Sequence, residues 1–297
     1  MRPLGLLLVY ILSVFAGGAL AAPAIFWLVQ SLAPASPLAE NPFHRFVERA
    51  LMAIALLGIW PLLRALGADS WSAVGVVAPA GQKSRLAGGF LLGFGSLALL
   101  AGLALAGHAR EFKANLTVTG LGVNILAAAG TATVVAGIEE LLFRGVIFGT
   151  LRRVFNWRGA LLLSSMIYAL VHFLQKPHLV GPVTWLSGLE LLPQMLRGFG
   201  QWPVLIPGFF NLTLVGMLLG LAYQRTGNLY FSLGLHGGWV FWLRFHGYLT
   251  RPTAGAAVTW FGSDKLIDGW LAMLVLGLTG VLLVWRLPAK SREAAGE

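Results

Sequence analysis

The chain has 297 residues, of which 57% are hydrophobic and only 11% charged, and a net charge of +10. A soluble domain carries about 25% charged residues, so this composition excludes a soluble globular protein, and residues 1–297 read as a single integral membrane domain. The basic residues are scattered through short connections without a long run, which excludes a nucleic-acid partner and points to membrane lipid with anionic headgroups; the lack of cysteine excludes disulfides, thiolate zinc sites and a cysteine nucleophile.

A helix that crosses a bilayer needs about 20 apolar residues, and the predicted fold is an all-α polytopic bundle of about eight such helices. The first predicted span is Leu4–Leu32. Its start imitates a signal peptide, with Arg2 and an Ala19-Leu20-Ala21 stretch, but apolar sequence resumes at Ile25, so an uncleaved span is expected. Pro34, Pro37 and Pro42 mark the following loop, because proline cannot continue a helix. The next spans are Phe46–Leu66, Leu86–Gly107, a fourth that starts at Leu121 and carries Glu139 and Glu140, then Gly159–Leu174, Val204–Tyr223, Leu229–Tyr248 and Leu266–Leu287. Gln175 to Pro203 is the longest connection, with a short interfacial helix expected at Leu189–Leu196. Glycines recur at four-residue spacing (Gly89/Gly93, Gly145/Gly149, Gly216/Gly220), but with 38 glycines such pairs arise by chance. Placing Lys and Arg on alternating sides puts Arg2, Arg64, Lys83, Arg85, Arg144, Arg152, Arg153, Arg158, Arg225, Arg286, Lys290 and Arg292 on one face, twelve of 21, with the local cluster Arg152, Arg153 and Arg158 carrying most weight. By the positive-inside rule both termini are then cytoplasmic, and a bacterial inner (plasma) membrane is the expected location.

Glu139 and Glu140 close an apolar run from Leu121 to Ile138 that holds no charge. A carboxylate in a bilayer segment is costly and marks a functional site by default. On a helix, Glu140 and Arg144 share a face and can pair, which holds Glu140 ionised. Glu139 points about 100° away and is free to face a cavity as a general base. His172 stands one turn after Tyr168, and His236 sits among Gly234, Gly237 and Gly238, where another backbone can approach closely. Asn124, Asn211 and Gln224 suit interhelical hydrogen bonds, while His44, His108, His178 and His246 fall in or near loops and are expected to be solvated.

Glu139, His172 and His236 lie on three separate predicted spans and are expected to meet around one water. Two chemistries fit. Zinc would be held by Glu139, His172 and His236 with an open fourth position. Alternatively, no cofactor is used: Glu139, aided by His172, takes a proton from water while His236 stabilises the oxyanion. Both hydrolyse an amide, and spacing does not separate them. By helix rise His172 comes out deeper than His236, so convergence requires a shifted boundary, a tilt or a broken helix.

Glu139-Glu140-Leu-Leu-Phe-Arg144-Gly, the aromatic Tyr168 four before His172, and His236 in a late span together resemble the CPBP family, the CAAX prenyl proteases and bacteriocin-processing enzymes. The resemblance covers a catalytic core of about residues 121–248. It implies an eight-helix bundle with a catalytic chamber inside the membrane, opening to the cytoplasm. It further implies that Glu139 and His172 activate water, that His236 assists at the carbonyl, and that the substrate is a membrane-associated protein or peptide. Tyr168 stands where the family usually has phenylalanine, and Val240 where it has asparagine or aspartate. Members are described as metal-dependent or as metal-free; Val240 removes one possible ligand and favours the metal-free form. It also keeps open a catalytically lapsed membrane partner or immunity-type protein, with a proton-coupled transporter as the further alternative.

Overall fold

The computed structural model describes residues 2–68, 70–200, 202–254 and 257–287. In chain order these form α1 (Arg2–Leu32), α2 (Phe43–Ala65), a 3-10 turn (Trp71–Val74), α3 (Lys83–Ala106), β1 (Arg110–Phe112), α4 (Val118–Glu140), a π-helical stretch (Leu141–Phe148), α5 (Gly149–Leu151), α6 (Trp157–Val171), α7 (Ser187–Met195), a second 3-10 turn (Leu196–Gly200), α8 (Trp202–Thr226), α9 (Tyr230–Leu249), β2 (Thr250–Pro252), α10 (Val258–Phe261) and α11 (Trp270–Arg286). Each predicted span coincides with a helix whose ends are displaced by a few residues, and α7 occupies the predicted interfacial segment. Among the described residues, five helical stretches are long and apolar enough to cross a membrane: α1, α2, α3, the continuous run Val118–Leu151, and α8 from Leu205. Helices α6 and α11 are shorter and apolar. Helix α9 has 20 residues but carries His236, Arg244 and His246. The protein is thus a polytopic helical membrane protein. Lys290 and Arg292, used in the orientation count, lie outside the described residues.

Two compact units can be described separately. The first comprises 1–69, 150–156 and 170–205. Helices α1 and α2 form an antiparallel pair: the Tyr10 hydroxyl donates to the Ala55 carbonyl at 2.8 Å, and Gly18 lies against Leu51. Ala22, Phe43, Phe46, Val47, Ala50 and Leu191 make a small core, with Phe26 edge-on to Phe43 and Phe46. Helix α7 closes on α1 where Gly188 abuts the Ala19 carbonyl. Contrary to expectation, His44 is buried; it lies in the first turn of α2, edge-on to the His178 ring at 5.4 Å.

The second unit comprises 70–149, 157–169 and 206–297. Helix α3 packs extensively on α9, and α4 also packs on α9. The α3–α9 contact is built from glycine on both sides: Gly89 and Gly93 abut the carbonyls of Phe231 and Leu235, while Gly234 and Gly238 abut the backbone of Leu86 to Phe94. Small residues let backbones approach where lipid offers no hydrophobic drive, so this spacing carries packing that chance alone did not suggest. Gly216 and Gly220 likewise seat α8 on Ser165 and Leu161 of α6, and Gly145 lies against Val74, whereas Gly149 meets no close neighbour. Asn211 donates to the carbonyls of Ile267 and Gly269, both at 2.8 Å, and ties α8 to the segment before α11. Asn124, expected to bond between helices, instead donates to Gly120 of its own helix. His246 is buried rather than solvated, its Nδ1 3.2 Å from the Leu243 carbonyl oxygen. An antiparallel pairing of β1 and β2 is clamped by buried Arg110, which donates to the Thr250 hydroxyl at 2.9 Å. Strands this short carry no readable alternation, and neither was expected.

The α3–α9 seam supports a direct test. A Cβ on Gly238 would lie 2.6 Å from the Phe94 amide nitrogen, while one on neighbouring Gly237 meets nothing within 4 Å. Gly238→Ala is expected to destabilise the protein by about 1–3 kcal/mol, as overpacking does. Gly237→Ala is expected to stay within about 0.5 kcal/mol of wild type. Thermal unfolding of the two variants in detergent micelles compares them.

Candidate active site

The site begins at the end of a charge-free helix. From Val118 to Ile138, α4 runs through 21 residues, about 31 Å at about 1.5 Å per residue. That is the thickness of a hydrocarbon core, and Glu139 and Glu140 follow it directly within the longer apolar run Val118–Leu151. Immediately after them the helix widens into the π-helical stretch Leu141–Phe148. Such widenings recur at functional sites because they redirect side chains without ending the helix.

The two carboxylates are placed differently. Glu140 is fully buried, and its Oε1 lies 3.2 Å from Arg144 Nη1. The Glu139 side chain keeps 24% of its surface accessible. Arg144 is itself buried and donates through Nη2 to the Gly216 carbonyl of α8 at 3.3 Å. Its guanidinium stacks over the Tyr168 ring of α6 at 4.5 Å. Phe143 meets that ring edge-on at 5.0 Å, and the Tyr168 hydroxyl is hydrogen-bonded to Glu139. The cation is therefore held by a carboxylate, a carbonyl and an aromatic face, each from a different part of the unit.

His236 of α9 stands between the two glutamates. Its Nδ1 lies 2.9 Å from Glu140 Oε1, and its Nε2 lies 3.8 Å from Glu139 Oε2. A carboxylate paired with Arg144 accepts, so Nδ1–H donates to it and Nε2 is the nitrogen left facing Glu139. A second partner on the far nitrogen fixes the tautomer and the plane of an imidazole. The 3.8 Å gap is too long for a direct hydrogen bond and is of the kind that one bridging oxygen closes.

The second unit thus brings together Glu139, Glu140, Arg144, Tyr168 and His236. His172 belongs to the first unit, where the chain leaves α6 after Val171; it is exposed, in the turn that follows. The predicted fifth span therefore ends earlier than expected, and His172 stands at a helix end. Glu140 on Nδ1 leaves His236 Nε2 open to a ligand, and among the described residues no group of three or more His, Asp or Glu side chains gathers in metal-holding geometry.

Trp239 and Asn211, donors that could stand in for the residue missing at Val240, are already committed. Trp239 Nε1 donates to the Ser96 hydroxyl at 2.8 Å, and both amide hydrogens of Asn211 go to the carbonyls near α11. Sequence reasoning missed Gly216 as the carbonyl partner of Arg144 and Tyr168 as its stacking face. The second had a signal, an aromatic residue one turn before His172; a backbone carbonyl leaves none.

Residues 121–242 match a family described as type II CAAX prenyl endopeptidase Rce1-like. No curated protein and no solved structure matches the chain.

Proposed function

From the match of residues 121–242 to the Rce1-like family of CAAX prenyl endopeptidases, we propose that this membrane protein is an intramembrane endopeptidase that hydrolyses a peptide bond of a membrane-associated protein or peptide with a water activated by Glu139. One observation carries this reading: His236 bridges a sealed carboxylate, Glu140, and an accessible one, Glu139, and turns its free nitrogen toward the accessible one.

In the proposed reaction, water sits between Glu139 and the scissile carbonyl. Glu139 takes its proton as the oxygen attacks the carbonyl carbon. His236, when its Nε2 carries a proton, donates to the oxyanion, while Glu140 holds the ring through Nδ1. Glu139 then returns the proton to the leaving nitrogen as the C–N bond breaks. Arg144 fixes the charge of Glu140 and touches no substrate. His172 enters on the motif alone, as the second group that acts on water. The catalytic core is taken as 121–248 within a single membrane domain, in a bacterial inner membrane with both termini cytoplasmic, so the bond cleaved lies near the cytoplasmic face.

Val240 supports a second reading, that of a lapsed relative which binds a peptide without cutting it. Reconstituted wild-type protein is expected to cleave a membrane-anchored peptide, and Val240→Asn is expected to raise the rate by about tenfold or less, the worth of one added neutral hydrogen bond beside His236. Product release followed by mass spectrometry makes the comparison. Cleavage by Val240→Asn with none by wild type would establish the lapsed enzyme instead.

A further inference from the structure

In the first unit, the start of α1, the end of α2 and the 150–156 connection surround a cavity of about 290 Å³. Arg2, Arg64 and Arg153 line it, with Leu6 and Leu66 as apolar wall. No described residue that lines it carries a carboxylate, and none of the three arginines has an ion-pair partner among the described residues. The carbonyls at the end of α2 do not discharge them all. Leu62, Leu63 and Arg64 carbonyls accept from Leu66 and Gly67 amides, and the Leu66 carbonyl takes one hydrogen of Arg153 at 2.5 Å. Arg64 is steadied over the Trp60 ring at 5.5 Å. Three like charges around one cavity repel one another, and an anion within it reverses the sign of that interaction.

The position identifies the anion. Helices α1 and α2 are antiparallel, so the start of one and the end of the other lie at the same water–lipid boundary. Along the same helices Leu8, Val9, Leu12 and Leu57 are each more than half exposed, apolar surface that suits contact with lipid chains. We propose that the cavity binds the phosphate of an anionic phospholipid, with its oxygens on Arg2, Arg64 and Arg153 and its acyl chains along that surface. Guanidinium forks match phosphate geometry, and basic pockets between membrane helices take such headgroups. A zwitterionic lipid brings its own ammonium into the arginine cluster and binds less well. The site is independent of the glutamate chemistry.

The test is native mass spectrometry of the full-length protein in detergent, titrated separately with phosphatidylglycerol, phosphatidylcholine and inorganic phosphate. Wild type is expected to retain phosphatidylglycerol preferentially. Arg64→Gln and Arg2→Gln are each expected to weaken it by about tenfold, the worth of one charged hydrogen bond. Arg45→Gln, at the opposite end of α2, is expected to leave it unchanged, and thermal unfolding of each variant verifies folding. Equal retention of the two lipids by wild type, undiminished binding in Arg64→Gln and Arg2→Gln, or an equal loss in Arg45→Gln would overturn the site. Displacement of the lipid by millimolar inorganic phosphate would overturn the lipid assignment in favour of a free anion.

Discussion

Glu139→Gln is expected to lower peptide cleavage by about 10²–10⁴-fold, the loss that follows removal of a general base, while the protein inserts and melts as wild type does. Glutamine keeps the shape of the side chain and can still bond to Tyr168, so packing is conserved. It cannot accept the proton of water. Glu139 is also the carboxylate with an accessible surface, so a neutral amide there leaves no buried charge without a partner. His172→Ala is expected to abolish cleavage as well, by the family resemblance of its motif. Single-turnover cleavage in proteoliposomes, with thermal unfolding measured on the same preparations, separates lost chemistry from lost folding. Full activity in Glu139→Gln would remove Glu139 as the base and leave the proposed reaction without its first step.

The fold was legible because lipid allows few solutions. A chain that must satisfy every backbone group inside a bilayer spans it as a helix, and hydropathy therefore located α1 to α4, α6, α8, α9 and α11. Helix ends were less legible: the fifth span stops at Val171, and no proline stands there to announce it. Within the candidate site, pairs along one helix could be read from spacing. The i,i+4 relation of Glu140 and Arg144 is such a pair, and the 3.2 Å contact follows from it. Contacts between helices could not be read. That His236 reaches both glutamates, that Arg144 lies on the Tyr168 ring, and that the Gly216 carbonyl accepts from Arg144 all depend on which faces meet. Spacing on separate spans does not encode that. The burial of His44 and His246 escaped for the same reason, since a residue near a predicted loop is covered only by parts of the chain distant in sequence.

Arg144→Ala is expected to lower stability by about 3–5 kcal/mol, the range for removing one partner of a buried ion pair, and to lower cleavage as well. The guanidinium neutralises a carboxylate with no accessible surface, caps the Gly216 carbonyl and covers the Tyr168 ring. Its loss leaves Glu140 charged and sealed, without its cation and with His236 Nδ1 still at 2.9 Å. Arg144→Lys restores the charge but not the planar fork, so it is expected to recover only part of the loss. Glu140→Gln alone strands the guanidinium in turn. The double variant Glu140→Gln/Arg144→Ala, with no uncompensated charge between the two positions, is expected to cost less than the sum of Glu140→Gln and Arg144→Ala by about 0.5–3 kcal/mol, the coupling of residues in contact. Thermal unfolding of the four variants in micelles measures each term. Strict additivity would mean that the two residues do not act as a pair, and wild-type melting of Arg144→Ala would deny the arginine its clamping role. A cleavage defect in Glu140→Gln larger than its loss of stability explains would show that Glu140 also sets the orientation of His236, since the amide has no charge with which to hold Nδ1–H.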